Sequence, residues 1–393
     1  MTHYFTTGNE STCYGCRACE HICPQKAITM KPNEEGFLYP TLDEAICMKC
    51  GLCSQVCPND NVTTVFRKPL KVFAAQYKQQ DVLDNSSSGG IFSAVADYVL
   101  ENNGSVAGCV FDDNFTAIHV VSQDHDTVAK MRGSKYVQSD TKSTYVEIKQ
   151  RLEQGKFVLF SGTPCQVDGL KLYLCKNYDN LLTIDLICHG VPSPVLLAEY
   201  LKLTEQKKGK VTDIKFRNKQ RNGWCAQGSV TYLRNGREKT YTISPFNASY
   251  YYYYLKNCIS RMSCYSCKYS SVQRVGDITI GDYWNINDVL PHVNSKKGIS
   301  VILVNTNHGK TVVQALKQRI MLFETELSSA VSGNGNLSKP CDLPDSRKNI
   351  YKRIKQQGYV VVAKQDCKYQ YVVPFLRKHI PKKIKSFLKK IKR

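Results

Sequence analysis

Three things are scarce in this 393-residue chain. No apolar run approaches the roughly 18 residues that a spanning helix needs, so no transmembrane helix is expected. The first residues, Met1-Thr2-His3-Tyr4-Phe5-Thr6, form neither a basic n-region nor an apolar h-region. A secretory signal is therefore not expected, and the chain reads as cytoplasmic. Acids are short against bases, 33 Asp and Glu to 54 Lys and Arg, for a formal net charge of +21. That sign suits nucleic acid, anionic lipid or an acidic protein. Helix-turn-helix, RNP and finger signatures are missing too, so no nucleic-acid partner is expected. An acidic redox protein or an anionic substrate fits the charge equally well.

Cysteine is the abundant residue, with 18. Reduced thiols in a cytosolic chain point to metal or redox chemistry. Eight of them fall in two runs of one pattern: Cys13, Cys16, Cys19, Cys23-Pro24, then Cys47, Cys50, Cys53, Cys57-Pro58. Such runs hold two 4Fe–4S clusters, each giving three thiolates to the near cluster and its fourth to the other. On that rule one cluster takes Cys13, Cys16, Cys19 and Cys57, and the other takes Cys47, Cys50, Cys53 and Cys23. Soft thiolates suit iron and sulfide, and short spacings let a loop wrap a cube with its amides aimed at sulfur. Zinc knuckles are the alternative, but zinc prefers two separated ligand pairs.

The expected organisation is a ferredoxin-like module at 1–66, a linker at Arg67-Lys68-Pro69, a mixed α/β domain at 70–335 and a basic extension at 336–393. Strands are expected at 71–77, 106–111, 118–121, 157–161, 181–187 and 298–304. Helices are expected at 91–100, 143–154, 193–206 and 308–319. Residues 211–245 read as antiparallel strands turning at Arg234-Asn235-Gly236. The fold class is thus α+β or α/β. From Arg377 on, basic residues recur without an acid, while Ile380, Ile384, Phe387, Leu388 and Ile391 fall on one helical face. Such a helix docks on its own protein or lies peripherally on the inner face of a membrane.

Four further stretches carry unusual residues. Ser86-Ser87-Ser88-Gly89-Gly90 precedes a helix, where small residues let amides approach a phosphate or simply form a cap and turn. Gly133-Ser134-Lys135 places a lysine among small residues, to hold an anion or as a plain loop. Thr163-Pro164-Cys165 and Cys188-His189-Gly190 follow successive strands. Cys264 and Cys267 have metal spacing but supply only two ligands, and Cys165 and Cys188 are available to complete a set. Asp277–Trp284 follows them.

SSSGGIFSA, GSKYVQS, LFSGTPCQV, CHGVPSP, SCYSCKY and DITIGDYW, in this order behind a double ferredoxin motif, resemble the coenzyme F420 hydrogenase/dehydrogenase beta-subunit family, in its bacterial branch. The resemblance covers roughly residues 1–330 and implies a flavin-binding α/β domain. It implies FAD beside a third 4Fe–4S cluster ligated by Cys165, Cys188, Cys264 and Cys267, with Cys258 the reserve ligand. Ser87, Ser88, Gly89, Gly90, Lys135 and Thr163 are the flavin candidates. His189 is the candidate catalytic acid, or else a hydrogen-bonding neighbour of the cluster. The implied activity is an iron–sulfur flavoprotein oxidoreductase linking a ferredoxin-type redox partner to a small-molecule substrate. Deazaflavin coenzyme F420 follows from the family name, and surface-polysaccharide biosynthesis from bacterial relatives. The alternative is a non-catalytic electron-transfer subunit. Cys109, Cys175, Cys225, Cys341 and Cys367 read as core or surface thiols, and Tyr250–Tyr254 as aromatic packing.

Overall fold

The computed structural model describes residues 3–61, 63–220 and 223–367. Near the N-terminus β1 (Ile28–Pro32) and β2 (Leu38–Leu42) form a hairpin. β3 (Lys71–Tyr77), β4 (Ser105–Phe111), β5 (Ala117–Ser122), β6 (Val158–Gly162) and β7 (Leu181–Leu186) follow. β8 (Lys210–Lys215), β9 (Gly228–Arg234) and β10 (Arg237–Ile243) make a separate antiparallel sheet. β11 (Ile278–Asp282), β12 (Ser300–Val304) and β13 (Ile320–Glu324) return to the large one. The large sheet has the order β13-β3-β12-β11-β7-β6-β4-β5.

The directions of these strands place the site. β4, β6, β7 and β11 pair in parallel, while β12 is antiparallel to both β11 and β3. β3, β4, β6, β7 and β11 therefore point the same way, and the loops that leave β3, β6, β7 and β11 share one edge. Ligands of open α/β sheets bind at that edge.

Alternation builds the core on both faces of the sheet. Leu159 of β6 and Val106 of β4 pack with the helices Ile91–Glu101 and Asn307–Ala315. Their neighbours Val158, Phe160 and Ala107 pack on the other face with the helices Thr144–Glu153 and Pro164–Leu174. A two-residue period exposes successive side chains to opposite faces. Each such aliphatic, fully buried, contributes roughly 1.5–3 kcal/mol.

The mixed α/β class, the expected strands and the long helices are all present. Asn235 and Gly236 both have positive φ, 52° and 72°, which suits the type I′ turn between β9 and β10. The linker expectation is corrected. Arg67 donates its N–H to Arg274 O at 2.9 Å and accepts from Arg274 N at 2.8 Å, so this stretch is stitched into the body.

The ferredoxin-like residues are likewise packed against the rest. Arg261, fully buried, donates from Nε to Cys13 O at 2.8 Å and lies 3.9 Å over the Tyr39 ring. Thr141 donates to Cys16 O at 3.1 Å. The helices Asp345–Gln357 and Tyr359–Asp366 pack through Ile350, Tyr359 and Ala363 onto the cluster around Tyr250 and Tyr253. Arg347 of the first pairs with Glu35 at 2.8 Å. The basic amphipathic stretch from Arg377 to Arg393 lies outside the described residues. Among the described residues no helix is long and apolar enough to cross a membrane.

Candidate cofactor sites

The two cysteine runs repeat in backbone as well as in sequence. Gly15 and Lys49 occupy the same place in their motifs, and both have positive φ, 70° and 55°. Arg17 and Gly51 match in the same way, at 67° and 78°, and each opens a short helix, Ala18–Ile22 and Leu52–Gln55. A left-handed residue there is cheap for glycine and strained for arginine. Arg17 is held by contacts with Asp140 and Glu20, including Nη2 to Asp140 Oδ2 at 2.9 Å.

The eight thiols separate into two groups. Cys23, Cys47, Cys50 and Cys53 line one small pocket with Ile28, Leu42 and Met48. Cys16 and Cys57 are pushed up chiefly by burial, with the charge of Cys13 adding to both. Cys19 is raised first by burial, then by Cys16, Cys13 and Cys57. These couplings put Cys13, Cys16, Cys19 and Cys57 in one neighbourhood. Amides aim at the sulfurs, Gly15 N at Cys13 Sγ (3.4 Å) and Ala27 N at Cys23 Sγ (3.3 Å). Among the described residues no three His, Cys, Asp or Glu side chains form a single-ion site.

A second layer of cysteines comes together in the body of the protein. Cys165 opens the helix after β6, Cys188 follows β7, and Cys264 and Cys267 lie on the loop before β11. All four line one cavity, together with Tyr14, Arg261 and Tyr269. Two devices hold this arrangement. Thr163 and Gln166 form a capping box at the start of the helix Pro164–Leu174, which fixes Cys165. Arg274 pairs with Asp185 of β7 at 2.8 Å, both fully buried, and Asp185 also accepts from Gly276 N at 2.8 Å. That pair ties the Cys264–Cys267 loop to the strand carrying Cys188. Burial raises all four thiols, so they stay protonated until a metal displaces the proton.

Cys258 is placed elsewhere. It sits in the tyrosine-rich core, with its Sγ 3.1 Å from Ser346 Oγ. Cys341, read from sequence as an ordinary thiol, lies beside the four-thiol cavity, its Sγ 3.8 Å from Cys264 O. No spacing signal could have revealed that.

The large cavity, about 420 Å³, opens at the shared strand edge. That volume is within the range of a ligand pocket. Ser87, Ser88, Gly90, Lys135, Thr163 and His189 all line it, and Cys188, Gly190 and Val191 line both this cavity and the four-thiol one. Gly89 does not face it. A Cβ there would meet Ala75 O at 2.3 Å, so Gly89 serves a close approach to β3. Lys135 is also corrected as an anion holder. Its Nζ donates to the carbonyls of Lys130, Met131 and Arg132 at 2.7, 3.0 and 3.1 Å, closing the end of the helix His125–Met131. Burial lowers its pKa to about 8. The hydroxyls of Ser87 and Ser88 are engaged within the chain, Ser87 accepting from Ser134 N and Ser88 donating to Ile299 O. Groups for a phosphate are instead the first-turn amides of Ile91–Glu101 and Arg132, which line the cavity.

Two buried polar atoms of this wall have no partner among the described residues, which tests whether a ligand belongs here. His119 shares its Nε2 with Ser161 O at 3.2 Å, so Nε2 carries the proton and Nδ1 is the bare acceptor. Burial lowers its pKa to about 4, keeping it neutral. Arg217 Nη2 is the orphaned donor. A polar cofactor such as FAD suits a pocket with an unmet acceptor, an unmet donor and a helix N-terminus. His119 and Arg217 were missed in the sequence because neither sits in a patterned stretch.

Residues 12–61 match the 4Fe–4S dicluster domain, which places the chain among iron–sulfur electron-transfer proteins. Residues 72–144 match the N-terminal part of the coenzyme F420 hydrogenase/dehydrogenase beta subunit, and residues 155–329 its C terminus. Those two stretches span more than half the sequence, and the chain belongs to the coenzyme F420 hydrogenase/dehydrogenase beta-subunit family. A chain in a xenon-derivatised structure of the F420-reducing NiFe hydrogenase complex from Methanosarcina barkeri is similar at a TM-score of 0.45. Identity is 17%, over 74% of this chain and 94% of that one. No curated protein matches.

Proposed function

We propose that the protein is an iron–sulfur flavoprotein oxidoreductase that couples a one-electron partner such as ferredoxin to a two-electron reduction of a small molecule. The supporting observation is the wall shared by the two inner cavities. Cys188 faces the four-thiol cavity, and the same loop lines the large one. When bound, 4Fe–4S clusters would supply one-electron relay and FAD would supply two-electron chemistry.

The residues arrange the route. Cys19 is within electrostatic reach of Cys53, which brings the two N-terminal groups together. Cys16 is similarly close to Cys165, linking the N-terminal module to the Cys165, Cys188, Cys264 and Cys267 set. The half-buried Tyr14 and the buried Tyr269 stand between them, with ring centroids 5.5 Å apart. His189, next to Cys188 and solvent-exposed, lines the large cavity as the candidate proton donor. The acceptor enters where Trp284 and Leu255 are solvent-exposed. Deazaflavin coenzyme F420 is one acceptor to test, since the family carries its name, and a surface-polysaccharide intermediate is another.

A second reading is favoured by the family's description as a beta subunit. In it the chain only relays electrons and a partner chain holds the catalytic site. Anaerobic purification with iron, sulfide and flavin counted together separates the readings. About twelve irons and one flavin per chain are expected, with reduced ferredoxin driving turnover by the chain alone. Flavin without turnover would favour the relay subunit; eight irons and no flavin would reject the proposal. Cys165→Ala should remove about four irons and leave the N-terminal eight.

A further inference from the structure

One corner of the large cavity is built around an arginine whose donors are only partly used. Arg217 follows β8 and is 7% exposed. Its Nε donates to Cys225 O at 2.9 Å, and its Nη1 donates to Asp282 Oδ2 at 2.8 Å and to the Tyr136 hydroxyl at 3.3 Å. The guanidinium lies 4.8 Å over the Trp284 ring. Trp284 stacks on Trp224 at 5.0 Å with planes 2° apart, and Trp224 Nε1 donates to the other Asp282 oxygen at 2.8 Å. Asp282 is thus committed on both oxygens, and the arginine is fixed in position on three sides.

Only Nη2 remains, buried and without a partner among the described residues. A cationic donor left unpaired inside a protein is costly, and such a site is explained when a ligand completes it. Arg217, Asp282, Trp284 and His189 all line the large cavity, and the charges of Asp282 and Arg217 both reach His189. Trp284 is 39% exposed, which puts this corner at the opening. The helix N-terminus and Arg132, which suit a cofactor phosphate, lie on other elements of the wall. A planar, preorganised guanidinium suits a carboxylate or phosphate oxygen better than a neutral group.

Resting on the reading of this cavity as a flavin site, we propose that Arg217 Nη2 is the anchor for an oxyanion of the acceptor. The substrate is then a small molecule bearing a carboxylate or a phosphate, and Arg217 is its specificity residue.

The chain's two tryptophans are both in this corner, so their fluorescence reports its occupancy. Benzoate, inorganic phosphate and benzamide are titrated into the purified holoprotein, and flavin is counted in every sample. Either anion should bind saturably and benzamide weakly. Arg217→Gln should weaken the anion at least tenfold and leave benzamide within twofold. Arg217→Lys, which keeps the charge beside Asp282, should lie between them and controls for misfolding. Stronger benzoate or stronger phosphate binding tells the carboxylate class from the phosphate class. The proposal is overturned if neither anion binds, if Arg217→Gln and Arg217→Lys retain wild-type affinity, or if both variants lose flavin, which would assign Arg217 to the cofactor. A wild-type protein without flavin would reject the flavin reading, while the tryptophan signal would still decide the oxyanion site.

Discussion

The two cysteine runs have one sequence pattern, but the most enclosed thiol of one group, Cys16, is buried while Cys50 of the other is exposed. In the inner group Cys16 sits in the core, while Cys13, Cys19 and Cys57 are half-buried. Cys16 packs with Ala18, Val56, Tyr145 and Val167, and Gly169 on the helix Pro164–Leu174 lies so close that a Cβ would meet Cys16 Sγ at 2.9 Å. In the outer group Cys50 is exposed, Cys23, Cys47 and Cys53 are half-buried, and the neighbouring Ile46 and Met48 are 49% and 60% exposed. Identical ligand spacing therefore says nothing about position along an electron path. Solvent exposure and nearby amides tune a cluster's potential. The inner group faces the α/β body and the outer one faces solvent.

This contrast can be broken on the inner side first. Gly169→Val should push into Cys16, costing about 1–3 kcal/mol of stability through overpacking and removing about four of the irons. Denaturant unfolding and iron counts check it. Retention of all iron would mean that the inner group is not tied to this helix.

A smaller effect is expected from Arg17→Gly, which keeps the left-handed backbone and deletes the guanidinium. Loss of the contacts with Asp140 and Glu20 should cost about 1–3 kcal/mol at neutral pH. Burial opposes ionisation of Asp140, but the Arg17 hydrogen bond and charge outweigh it, and its pKa is lowered. A depressed carboxylate stabilises above its unfolded pKa near ~3.9 and loses that contribution as pH falls through the folded value. Wild-type protein should therefore lose stability more steeply than the variant below about pH 4. Parallel acid unfolding curves for the two would contradict the pairing.

The outer side gives the smallest structural effect. Met48→Lys should change stability by no more than about 0.5 kcal/mol and keep all iron. Electron exchange with reduced ferredoxin, followed by stopped flow, should slow several-fold if this face meets the donor. An unchanged rate would move the entry point elsewhere.

Much of the fold was legible because local chemistry is repetitive. The apolar runs 157–161 and 181–187 marked strands buried on both faces, and Asn235-Gly236 marked its turn. The linker at Arg67-Lys68-Pro69 was misread because its composition is that of a loop, while its hydrogen bonds go to Arg274, far along the chain. Lys135 looked free in sequence, yet the helix end just before it supplies three carbonyls for its ammonium. Cys341 and Arg217 had no pattern to betray them, because their neighbours arrive from other elements.

Ligand type and number were set by the sequence alone, since thiolate spacing within a short loop is a local property that the backbone cannot evade. Which cysteines from distant loops share a cavity, which thiols are buried, and that one loop at Cys188 touches both inner cavities were decided only by the tertiary structure. Five strands running the same way bring their loops to one edge, and no local pattern encodes that direction.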